Sequence, residues 1–137
     1  MSVSTPTTAV IRLSAQVVVS PATEESGVVD TIISYSMRDP YEIMIAFRKS
    51  GNSVTWKFAR DLLVEAKVDG TAGDGDVQID WTGEDCIVIL HGDAGFTAKV
   101  ALTGRRITTF LSRISRMVPL GAETRFLQIS DHLPPGW

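Results

Sequence analysis

The stretch Trp56-Lys57-Phe58-Ala59-Arg60-Asp61-Leu62-Leu63-Val64-Glu65-Ala66 changes its period part-way along. Up to Phe58 apolar and polar residues alternate, and Val54, Trp56 and Phe58 share one side. That is the pattern of a strand with one buried face. From Phe58 the composition and spacing predict a short helix over residues 58–66, whose apolar stripe is Phe58 with Leu62, or Ala59 with Leu62, Leu63 and Ala66. The chain passes here from strand to helix, and its two flanks decide the fold class.

On the N-terminal side three more strands are legible. Residues 9–19 alternate, with Ile11, Leu13, Ala15, Val17 and Val19 on one face and Arg12, Ser14 and Gln16 on the other. Residues 28–37 place Val29, Ile33, Tyr35 and Met37 together, and Arg38-Asp39-Pro40 breaks the run, since proline lacks an N–H and restricts its predecessor. Residues 41–48 place Tyr41, Ile43, Ile45 and Phe47 inward, and Ser50-Gly51-Asn52-Ser53 reads as a hairpin turn.

On the C-terminal side residues 69–75 read as a glycine-rich loop. Val77, Ile79 and Trp81 then alternate with acids and Gln78. Residues 86–90 are apolar on both faces, as expected of a strand covered on both sides. Phe96, Ala98, Val100 and Leu102 face inward on a further strand. Residues 105–118 carry Ile107, Phe110, Leu111 and Ile114 at helical spacing, with Pro119 and Gly121 as stop signals. Four strands, a helix, three strands and a helix joined by tight turns predict an α+β domain with antiparallel sheets of about seven strands and two main helices. Its ends, residues 1–8 and about 130–137, read as flexible.

The 137 residues suit one domain, and 44% hydrophobic residues suffice for a core. A net charge of −3 argues against a general nucleic-acid binder. The single cysteine, Cys86, lies in an apolar strand and forbids an intrachain disulfide. No signal peptide is visible and no apolar run approaches the roughly 18 residues of a spanning helix, so the expected setting is cytoplasmic, with any membrane contact peripheral. His91 and His132 read as ordinary surface histidines. Asp69, Asp74 and Asp76 lack the frame of a calcium loop and suit turns instead. No phosphate loop or nucleophile elbow occurs, so no catalytic residue, cofactor or metal site is expected. The long helix stands out: Arg105, Arg106, Arg113 and Arg116 give it a local charge of +4 with no acid between Gly104 and Val118. Such a face could meet an acidic protein, an anionic lipid or a nucleic-acid backbone. Trp137 is a candidate for a terminal contact.

Five motifs occur in order. Asp39-Pro40-Tyr41 opens a strand, Trp56 to Leu63 crosses from strand to helix, and Gly73-Asp74-Gly75-Asp76-Val77 opens the next strand. Phe110-Leu111-Ser112-Arg113 lies in the long helix, and Val118-Pro119-Leu120-Gly121-Ala122-Glu123 follows it. In this order and spacing, over roughly residues 9–123, the chain resembles the SsgA-like proteins, regulators of sporulation and cell division in morphologically complex actinobacteria. It departs at Val64-Glu65-Ala66-Lys67, where family members often have a glycine, and after Glu123.

The resemblance implies a non-enzymatic role in septum formation during sporulation. In the SsgB branch this means recruiting or stabilising the tubulin-like division GTPase FtsZ at septum sites and helping to tether the ring at the membrane, with another SsgA-like protein as a further partner. It also implies a homotrimer and a fold like the Whirly-type single-stranded nucleic-acid-binding proteins. A closed trimer repeats one binding surface three times, so avidity exceeds single-site affinity. Exposed apolar residues on the strand faces and tail are the expected trimer contacts. The expected partner surface is Arg60, Asp61 and Glu65 on the short helix, or the four arginines of the long one. Single-stranded nucleic-acid binding is the alternative by fold analogy, although the outward strand residues offer no aromatic platform on which bases could stack.

Overall fold

The computed structural model describes residues 7–20, 27–49, 51–73 and 75–124. The expected flexible ends and the tail residues His132 and Trp137 lie largely or wholly outside these. The described chain forms β1 (Thr8–Ser20), β2 (Gly27–Ser36), β3 (Asp39–Lys49), β4 (Asn52–Ala59), α1 (Arg60–Asp69), β5 (Thr71–Ala72), β6 (Val77–Trp81), β7 (Asp85–His91), β8 (Thr97–Thr103) and α2 (Gly104–Met117).

All the strands belong to one antiparallel sheet of order β4-β3-β2-β1-β8-β7-β6-β5. The sheet has eight strands where the sequence predicts about seven. The additional one, β5, is two residues inside the stretch read as a loop. It exists because Thr71 and Ala72 pair with Asp80 and Ile79, and the Thr71 hydroxyl donates to Asp80 Oδ1 at 2.8 Å. Two residues are too short to show a period, so only the partner strand reveals them.

The sheet is curled. Its two edge strands, β4 and β5, flank α1 in sequence, and α1 packs against β3 and β4 at one end of the sheet and β5 and β6 at the other. α2 packs on β1, β7 and β8. Both helices therefore sit on the concave face, over a core that includes Ala15, Ile33, Ile45, Ile79, Val88, Val100, Phe110 and Ile114. α1 ends where Gly70, at φ +88°, takes the left-handed conformation and donates its N–H to Ala66 O, a cap that favours glycine.

The alternation in β1 and β2 follows the expected faces. Four other expectations are corrected. Tyr41 is exposed, because the register shifts between Tyr35 and Ser36 and Pro40 takes the buried place beside it. Val54 is 56% exposed, and Phe96 precedes β8 and is exposed too. Both lie at the open end of the curl, beyond the helices. In β7, Cys86, Val88 and Leu90 are buried but Ile87 and Ile89 are half-buried, since helices cover only one face of the sheet.

Candidate functional site

Arg60 is the first residue of α1 and is 1% exposed. The sequence reading that placed it on a partner surface is corrected. In a helix, residues 60, 63 and 66 fall near one another on a face, and here that face, with Leu63 and Ala66, is the buried one. The spacing was present in the sequence, but the charge of Arg60 argued against reading it.

Arg60 is retained in the core by a set of partners from the segment after α2. Nη1 donates to the carbonyl of Val118 at 2.6 Å, Nη2 lies 3.5 Å from the carbonyl of Pro119, and Nη2 is ion-paired with Glu123. Glu123 in turn accepts the N–H of Gly121 at 2.9 Å. The guanidinium also lies 5.5 Å from the Tyr35 ring centroid, within cation–π range. Tyr35 donates its hydroxyl to the carbonyl of Pro40 at 2.8 Å. Only Nε of Arg60 has no partner among the described residues. Burial alone would push the Glu123 carboxyl up, but the Arg60 hydrogen bond and charge, with backbone N–H groups, hold it below the usual range. Tyr35 is pushed up to about 12, chiefly by burial.

Asp61 and Glu65 are exposed one turn apart on the outer side of α1. Arg105, Arg106, Arg113 and Arg116 are all exposed on α2, opposite a buried side formed by Ile107, Phe110, Leu111 and Ile114. The structure thus leaves six of the seven sequence-predicted partner residues on the surface. Arg106 donates to the backbone carbonyl of Arg12 at 3.1 Å. Among the described residues no ion pair joins Asp61 or Glu65 to the arginines of α2.

Elsewhere the chemistry is sparse. Cys86 is buried, and burial pushes its thiol up to about 12, which makes it unreactive at neutral pH. His91 is half-buried and shares a 3.0 Å hydrogen bond with Gln78. No group of three or more His, Cys, Asp or Glu side chains is arranged to hold a metal ion among the described residues. No helix is long and apolar enough to cross a membrane among those residues. The open end of the sheet holds a cavity of about 670 Å³, lined by Val17, Phe47, Val54, Trp56, Phe96 and Val100 among others, to which neither helix contributes.

Residues 29–123, most of the chain, match the family described as Streptomyces sporulation and cell division protein, SsgA. The chain belongs to the SsgA family. Among its relatives, the sporulation-specific cell division protein SsgB of Thermobifida fusca is 34% identical over 114 residues, covering 74% of this chain and 78% of that protein. SsgB of Streptomyces coelicolor is 31% identical over 132 residues, 93% of either chain. The match to SsgB of Kineococcus radiotolerans, 33% identical over 104 residues, spans 62% of that protein. The fold agrees: the solved structure of the SsgA-like sporulation-specific cell division protein from Thermobifida fusca superposes with a TM-score of 0.74 at 28% identity, covering 96% of this chain and all of that one. A second solved structure, described by mutations in SsgB that correlate to longitudinal cell division during sporulation of Streptomyces coelicolor, gives a TM-score of 0.69 at 27% identity, over 90% of this chain and 99% of that one. The SsgA-family membership gives this chain a role in sporulation-specific cell division.

Proposed function

We propose that this chain is a non-enzymatic, protein-binding regulator that recruits or stabilises FtsZ at septum sites, together with another SsgA-like protein, and that it works at division septa in the cytoplasm as a homotrimer of Whirly-like subunits. The observation that carries the reading is the family match over residues 29–123. The arrangement of the molecule is compatible with it. Among the exposed charged groups are an outward row on α2 and a pair on α1, an arrangement that suits contact with a macromolecule. The two runs of four strands, each ending in a helix, support the Whirly-like subunit.

The test is co-sedimentation of the purified protein with polymerising FtsZ from the same organism, with and without GTP. Enrichment in the pellet together with more polymer is expected. No enrichment would refute direct recruitment and leave the chain to act through a different member or partner.

A further inference from the structure

We propose that the outward face of α2 is a docking row for a short, extended acidic segment of a partner protein. This rests on reading the chain as a protein-binding regulator and adds the chemistry of what it binds. At 100° per residue, Arg105, Arg106, Thr109, Ser112, Arg113 and Arg116 share one arc of about 120° on α2. Every one of them is exposed. From Arg105 to Arg116 the row runs about 16 Å at 1.5 Å per residue, the length of about five extended residues.

Its charge is not neutralised from within. No acid lies between Gly104 and Val118, and none of the four arginines makes an ion pair among the described residues. A net charge of −3 overall and +4 here leaves −7 for the rest of the chain. The helix dipole favours Arg116 in the last turn but does not account for the start of the row. Arg105 and Arg106 stand in a first turn that has no acid, at the positive end of the helix dipole, where cations are disfavoured. A guanidinium fits a carboxylate through two parallel N–H···O bonds, which makes arginine the suited residue for an acidic side chain.

Acidic residues also lie near the start of the row. α2 starts against the turn that carries Glu84 and Asp85, both exposed, with the N–H of Gly104 donating to the carbonyl of Glu84 at 2.8 Å. A long polyanion or a flat anionic membrane reaching past the start of α2 would meet those acids, whereas a segment of about five residues matches the length of the row.

The test uses a fluorescein-labelled hexaglutamate peptide and the full chain, read by fluorescence anisotropy. Saturable binding is expected, weakened about tenfold or more when Arg105, Arg106, Arg113 and Arg116 are all changed to Gln. The pair Arg48→Gln and Lys57→Gln, exposed on the sheet, is expected to change it by less than about twofold. Circular dichroism checks folding, and Arg113→Gln with Arg116→Gln alone is the fallback, expected to weaken binding by about threefold or more. Absence of saturable binding, or equal loss in the sheet variant, would overturn the proposal. So would tighter binding to phosphatidylglycerol vesicles or to an oligothymidine strand that the four substitutions abolish. If FtsZ fails to co-sediment while hexaglutamate still binds the row, the recruitment reading falls and this surface stands; the reverse result removes the surface alone.

Discussion

Arg60 carries a charge into the core, and Glu123 is what makes it tolerable. Desolvating an ion is costly unless its partner stays, and removing one member of such a pair typically costs about 3–5 kcal/mol. Glu123→Ala is therefore expected to destabilise the fold by an amount in that range, read as a lower denaturant midpoint. Arg60→Met combined with Glu123→Leu is expected to recover much of the loss, because no unpaired charge remains. The pH dependence follows from the lowered carboxyl of Glu123. The native state binds this proton less readily than the unfolded chain, so the stabilisation is complete above the unfolded value of 4.5 and is lost as the pH falls through the lower folded value. Acid unfolding followed by circular dichroism is expected to lose this component in Glu123→Gln, leaving a shallower decline below pH 4.5.

At the scale of the element, α2 has two faces with separate duties. Its apolar face is committed to the core, and its start is pressed onto the β6–β7 turn. A side-chain carbon at Gly104 would lie 2.9 Å from the carbonyl oxygen of Glu84 and 3.0 Å from that of Gly83, both backbone atoms. Gly104→Ala is expected to force the helix away from β7 and cost about 1–3 kcal/mol, visible as a lower melting temperature. The outer face behaves oppositely. Changing Arg105, Arg106, Arg113 and Arg116 to alanine is expected to leave the melting temperature nearly unchanged, since exposed substitutions usually shift stability by less than about 0.5 kcal/mol. The same variant is expected to weaken association with the partner in co-sedimentation; unchanged association would assign these arginines to solvation.

For the whole molecule, the curl of the sheet leaves apolar side chains uncovered on the outer face and at the open end. Val18 and Val28 are 50% and 67% exposed on neighbouring strands, and Val54 and Phe96 stand at the mouth of the cavity. Self-association would bury such side chains. The proposed homotrimer predicts three times the chain mass of 14.9 kDa in light scattering at micromolar concentration, and Val18→Lys with Val28→Lys is expected to shift it toward the monomer. A monomeric parent protein would remove the trimer from the account.

Seven of the strands and both helices were legible in the sequence, because each is long enough for its apolar residues to repeat with the period of its own backbone. The row of arginines was legible for the same reason, since helical spacing alone puts residues 105, 106, 113 and 116 on one side. Tertiary structure decided what depends on residues far apart in the chain. It paired β5 with β6, turned Tyr41 outward at a register shift, and brought Glu123 across 63 positions to Arg60. A period reports which side a residue faces along its own element. Whether a charge on that side meets water or a buried partner is set by which other element folds over it, and for Arg60 that was the segment following α2.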